Sequence, residues 1–373
     1  MTDPGRPQDV VEEHFLDKPL DVEAEVDDGG QEQGLPWQPD DIRVSSRNFS
    51  LRNVLDMIDD EELELAPDFQ RNQVWKLPQK SGLIESILLQ IPLPAFYFAQ
   101  DKDGRMKVID GLQRLSTAYG FAREEQFALG HLEYLDLSGQ RYSQLSPVWR
   151  RRFNQTQLVV HVIDPQTPAQ VRYDIFKRIN TGGTPLNAQE IRHCLTSNRC
   201  REFLKRCAAS AEFLEAVGSS FRDHVRMADR ELVLRFCAFS VIGLQAYQGA
   251  MDPFLDEAAA LIDDPAKLSD EQLSGLEEEF RRTMVLAVQA FGGRAFRKSP
   301  SSPLNRPMFE SLAVTLAKSS DRGIALDFPQ MASRLHRLIS SDRDYYEAIS
   351  SSTGSRYKVA YRFAKAVEVV LGG

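Results

Sequence analysis

The chain has 373 residues, enough for two domains of ordinary size, and its 42% hydrophobic and 27% charged residues are the composition of a water-soluble, folded protein. No apolar run approaches bilayer-spanning length, and no basic segment followed by an apolar core opens the chain. Membrane and secretory readings are therefore excluded, and a cytoplasmic location is expected. The net charge of −9 is uneven: residues 1–40 carry −10, leaving +1 for the rest, so the overall acidity does not exclude nucleic acid as a partner.

Residues 1–40 are acidic and poor in apolar side chains, which predicts a disordered tail. An α/β pattern then runs over residues 41–200. Ser50 is placed to cap a helix reaching Asp60, and a short strand follows at 62–66. Pro78 suits the first turn of a helix through Gln90, with Leu83, Ile84, Ile87, Leu88 and Ile91 on its apolar face. Strands are expected at Ala95–Ala99 and Met106–Ile109, joined by the Asp101-Lys102-Asp103-Gly104 turn. Leu112–Ala122 reads as a helix, Gln126–Leu132 and Leu158–Ile163 as strands with a helix near Val148–Phe153 between them, and Pro168–Ile179 as a helix. Asn187 caps one more helix, through Leu195.

Residues 201–373 show helical spacing almost throughout: Glu202–Ala216, Asp229–Ala246, Pro253–Ile262, Asp270–Phe291, Pro307–Lys318, Pro329–Ile339 and Arg356–Leu371. The fold class is α+β, an α/β domain followed by an all-α one. Cys194, Cys200, Cys207 and Cys237 form no Cys-x-x-Cys pair, so free thiols are expected rather than a zinc site. No hydrolase elbow or Walker loop occurs.

The chemistry concentrates at Lys107-Val108-Ile109-Asp110-Gly111-Leu112-Gln113-Arg114-Leu115, where a strand meets an acid and a glycine before a helix begins. Helix N-termini offer unpaired N–H groups and partial positive charge to phosphate. Gly111 admits close backbone approach, and the Arg114 guanidinium is a planar fork for anions. An ordinary strand-to-helix turn with an Asp cap accounts for this stretch equally well when it is taken alone. Two further Arg-bearing turns tip the balance, one at Phe69-Gln70-Arg71-Asn72-Gln73-Val74-Trp75 and one at Lys177-Arg178-Ile179-Asn180-Thr181-Gly182-Gly183. Trp75 is expected to pack on the core. Arg71 has a salt bridge to Asp68 as its bland alternative, and Arg178 a helix C-terminal charge.

These three segments, in this order, resemble the N-terminal domain of GmrSD-type restriction endonucleases, whose signature is Asp-Gly-Gln-Gln-Arg; the resemblance covers roughly residues 45–200. Leu112 stands where the family most often has Gln. The resemblance implies a ParB/sulfiredoxin-like fold in which the turn cradles nucleotide phosphates with Mg²⁺. Asp110, Gln113 and Arg114 would then be catalytic, and Arg71, Gly111, Arg114, Lys177, Arg178, Asn180, Thr181 and Gly182 would bind the phosphates. Asp110 would hold the metal. Fuller members of the family end in a His-Asn-His nuclease domain. Only His224 and His336 lie beyond residue 200, far apart, so this chain is expected to be a standalone member without that nuclease. The expected activity is Mg²⁺-dependent NTP hydrolysis in defence against foreign DNA, modified or not, with nucleotide, DNA and a separately encoded nuclease or other defence subunit as partners. A DNA endonuclease using the same cleft and a non-enzymatic module switched by nucleotide are the alternatives.

Overall fold

The computed structural model describes residues 10–15, 17–25, 42–65, 75–101, 103–179 and 186–372. Two compact units divide the chain: Leu35–Leu195, and Thr196–Gly373 together with the N-terminal segment.

The acidic N-terminus departs from its expected disorder. Strand β1 (Glu12–Phe15) and strand β2 (Lys18–Glu23) pair antiparallel. Val22 is buried in the core of the helical unit and bridges to Leu304, where Glu23 N donates to Leu304 O at 2.8 Å. Four of the acids that suggested disorder are ion-paired. Glu13 meets Arg306 at 2.7 Å, Asp21 meets Arg297 at 2.6 Å, Glu23 meets Lys298 at 2.5 Å and Glu25 meets Arg235 at 2.5 Å. Burial opposes ionisation of Asp21 and Glu25, yet Arg297 and Arg235 hold the two carboxyls below the usual range. Charge density therefore signals complementarity here rather than solvation.

The α/β unit opens with strand β3 (Val44–Ser50) and helix α1 (Leu51–Asp59). The Ser50 hydroxyl accepts from Asn53 N at 3.2 Å, the expected cap. Strand β4 (Leu63–Glu64), helix α2 (Leu77–Leu88), strand β5 (Phe96–Gln100), strand β6 (Met106–Asp110) and helix α3 (Leu112–Ala122) follow. Helix α4 (Pro147–Gln155), strand β7 (Gln157–Ile163), helix α5 (Ala169–Ile179) and helix α6 (Ala188–Leu195) complete the unit. The five strands lie in the order β3-β7-β5-β6-β4, with β5 and β7 parallel and β6 antiparallel to β5. Leu158, Val160 and Val162 alternate into the core with Phe96, Phe98, Met106 and Val108. Trp75 packs against this core as expected.

Two local expectations fail. Residues 126–132 are not a strand: Leu129 N and Gly139 N bond back within their own loop, to Gln140 O and Leu129 O. Ile91, expected on the apolar face of α2, lies beyond its end and is 47% exposed.

The helical unit comprises α7 (Asn198–Ala208), α8 (Ala211–Val217), α9 (Ala228–Cys237), α10 (Met251–Asp263), α11 (Asp270–Phe291), α12 (Arg306–Asp321), α13 (Phe328–Ser341), α14 (Arg343–Ala348) and α15 (Arg356–Leu371). The helix expected over Glu202–Ala216 is split, because the Ser210 hydroxyl caps a new start by accepting from Phe213 N. The helix expected over Asp229–Ala246 ends at Cys237, and a wider π turn continues through Ile242. The four cysteines are buried and free. No helix among the described residues is long and apolar enough to cross a membrane.

The hairpin's ion pairs yield a stability prediction. Glu23→Ala leaves the fully buried Lys298 ammonium without its carboxylate and should lower the stability of the helical unit by about 3–5 kcal/mol. Urea unfolding followed by circular dichroism reads this, and an unchanged transition would show that the hairpin does not hold to the helices.

Candidate functional site

The signature turn is built by β6 handing over to α3. Gly111 adopts φ +95° and sits at the helix start with no side-chain cap. A Cβ at this position would lie 2.2 Å from Cδ1 of Phe96, so both the backbone angle and the packing require glycine. Leu115 N donates to Gly111 O at 2.9 Å, the first helical bond; the N–H groups of Leu112, Gln113 and Arg114 precede it and have no carbonyl four residues back within the helix.

Arg114 closes the turn. Its Nη2 donates to Asp110 Oδ2 at 2.9 Å and to Ala95 O at 3.2 Å, and its Nη1 donates to Pro94 O. The guanidinium lies over the Phe96 ring, 4.2 Å from the centroid. Burial holds the guanidinium below its ordinary pKa, against the pull of Asp110. Three of its five N–H donors are thus engaged inside the turn, which leaves two. Its side chain is 13% exposed and that of Asp110 35% exposed. Gln113 is half-buried beside them.

Asp110, Gly111, Gln113 and Arg114 therefore converge on one turn. Arg178 stands exposed in the last turn of α5. Arg71, Asn180, Thr181, Gly182 and the Lys177 side chain lie outside the described residues. The proposed metal can be tested against the donors present. Among the described residues no three His, Cys, Asp or Glu side chains cluster as a metal site. Asp110 has one oxygen bound to Arg114 and the other without a partner among the described residues, which suits a Mg²⁺ ion arriving with phosphate oxygens rather than one resident in an all-protein cage.

Sequence reasoning missed a polar row on the same sheet. Ser46 Oγ and His161 Nδ1 are 2.8 Å apart, the His161 ring lies 4.8 Å from the Tyr97 ring, and Tyr97 is in register with Asp110. The available signal was His161 interrupting an apolar strand, at the position that alternation turns away from the core. His193, the histidine nearest the motifs in sequence, is buried on α6.

Residues 52–197 match the family described as GmrSD restriction endonuclease, N-terminal domain. No curated protein matches the chain.

The turn can be tested with a matched pair of glycines. Gly104 has φ +92° with nothing within 4 Å of an added Cβ, whereas Gly111 has nearly the same φ and the Phe96 ring in the way. Gly104→Ala should cost about 1 kcal/mol. Gly111→Ala should cost about 3 kcal/mol or more as Phe96 is displaced. Equal losses in urea unfolding would remove the Phe96 contact as the constraint.

Proposed function

Residues 52–197 are a GmrSD-type N-terminal domain, and from this we propose that the chain is a restriction-type defence protein whose signature turn binds a nucleoside triphosphate and hydrolyses it with Mg²⁺. The observation that carries the reading is the helix start at Gly111, which lacks a side-chain cap, beside a partly exposed carboxylate and a guanidinium with two donors to give. The N–H groups of Leu112, Gln113 and Arg114, with the remaining Arg114 donors, receive phosphate oxygens. Bound Mg²⁺ would supply neutralisation of charge on the transferring phosphoryl group. Asp110 turns the oxygen that Arg114 does not hold toward the phosphates or orients the attacking water, and Gln113, half-buried in the first turn of α3, helps to place that water. Arg114 also positions Asp110 through their direct bond, so both binding and alignment depend on it. Cutting of DNA falls to a separately encoded subunit in this reading.

A second reading, a nuclease acting in the same α/β unit, is favoured by the Ser46–His161–Tyr97 row in register with Asp110, since His161 could serve as a general base.

Phosphate release from ATP, GTP, CTP and UTP with Mg²⁺ separates these. The expected result is turnover of at least one nucleotide, reduced about a hundredfold or more by Asp110→Ala and by Arg114→Ala. Turnover undiminished in both variants would sink the site. No release with any nucleotide, with plasmid cleavage that His161→Ala abolishes, would select the nuclease.

A further inference from the structure

A basin of about 610 Å³ opens elsewhere on the α/β unit, lined by Arg52, Arg150, Arg151, Tyr142, Asn154 and Gln157 among others, with no acidic residue in its wall. We propose that this basin binds the phosphodiester backbone of nucleic acid. The choice of DNA as the polymer rests on the restriction-type reading above; the anion chemistry does not.

The basin is a built feature. Helix α4 is anchored by Phe153, which is fully buried, while Arg150, Arg151 and Arg152 immediately before that anchor are exposed. Tyr142 stands edge-on to Phe153 with ring centroids 5.4 Å apart, and its hydroxyl donates to Asn154 Oδ1 at 3.0 Å. That bond fixes the Asn154 amide and leaves its NH₂ as a donor to the basin. Arg150 and Arg151 form no ion pair with any described residue. Arg52 reaches Asp56 only at 3.6 Å, with both side chains well exposed, a pairing that a stronger anion displaces easily.

Two guanidinium groups without carboxylate partners among the described residues and a third only loosely paired, set among amide and phenol groups, match a row of phosphates and sugars better than any single small anion. The open form suits a polymer passing through rather than a ligand enclosed. Position adds to this. Ser50 pairs with Gln157 where β3 ends and β7 begins, while Asp110 ends β6 and pairs with Tyr97 near the start of β5. Because β7 and β5 are parallel, the chain leaves β6 toward the end of the sheet at which the basin opens; Tyr97 is level with His161, so Asp110 lies four residues along the sheet from Gln157, roughly 13 Å. Strands β7 and β6 are two strand intervals apart, roughly 10 Å across the sheet. The basin and the turn are thus offset by roughly 16 Å in the plane of the sheet, a span that a polymer covers and a single phosphate does not.

Anisotropy of a fluorescein-labelled DNA duplex, titrated without nucleotide between about 50 and 200 mM salt, tests this. Wild type should bind with a negative salt slope. Arg150→Ala/Arg151→Ala should weaken binding at least about tenfold and reduce the slope by about 1.8, one phosphate contact per arginine. Arg151→Glu should weaken it further, and Arg343→Ala, an exposed change in the helical unit, should not weaken it. Melting curves of all variants should coincide, since the altered side chains are exposed. No binding by wild type, or unchanged affinity and slope in the double variant, overturns the proposal. So does polyglutamate competing as well as DNA at equal charge, which would point to an acidic protein segment instead. Because no nucleotide is present, failure of hydrolysis in the earlier assay would sink that reading and leave this one standing.

Discussion

The α/β unit turns on the contact between Gly111 and Phe96. Phe96 begins β5 and is almost completely buried, so its ring cannot move aside without opening the core. The backbone of the β6–α3 turn lies directly against that ring, in a left-handed conformation only glycine adopts without strain. Arg114 then covers the other edge of the arrangement, stacked on the same ring and bonded to the carbonyls of Pro94 and Ala95 just before it. Asp110 is fixed in consequence. A ring, a glycine and an arginine lock the start of one strand to the end of its neighbour, and Asp110 and Arg114 sit on the lock itself.

A second constraint organises the helical unit: buried cations that must find carboxylates. Arg362 and Glu310 are both fully buried and bonded to each other, and Glu310 also meets Arg235 at 2.9 Å. Arg235 reaches Glu25, and Arg306 reaches Glu13, so the network extends into the N-terminal hairpin. Burying so many charges is tolerable only where each is matched, because an unpaired ion in a dry interior is far more costly than a missing apolar contact. The hairpin supplies four carboxylates to this network, and Val22 adds apolar anchorage between them.

That explains where the sequence was legible and where it was not. Helices α3 and α11 could be read to their end residues, since apolar spacing and caps are local signals. The hairpin could not, because its partners lie more than 200 residues away and local composition resembles that of a solvated tail. Strand β3 was equally hidden. It is an edge strand whose side chains are mostly exposed and polar, and only its seven-residue pairing with β7 makes it a strand. At the site, the Asp-Gly turn was visible from glycine and charge pattern alone. The engagement of Arg114 with the two carbonyls just before β5, and the alignment of Tyr97 and His161 with Asp110, depend on strand register, which no single segment encodes.

The signature turn and the arginine-lined basin differ in the donors they present. At the signature turn the donors are few, partly buried and preorganised by packing, which suits a compact, highly charged group whose position must be exact. In the basin the guanidinium groups are exposed and carried on long side chains over a fixed amide platform, which suits a repeating charge whose register can slide. The chain leaves both β3 and β6 toward the same end of the sheet, through Ser50 into α1 and through Gly111 into α3. Helix α4 packs against α1, and α3 carries the signature arginine, so the basin and the turn are tied to the helices that follow β3 and β6, two strands of one sheet with β7 and β5 between them.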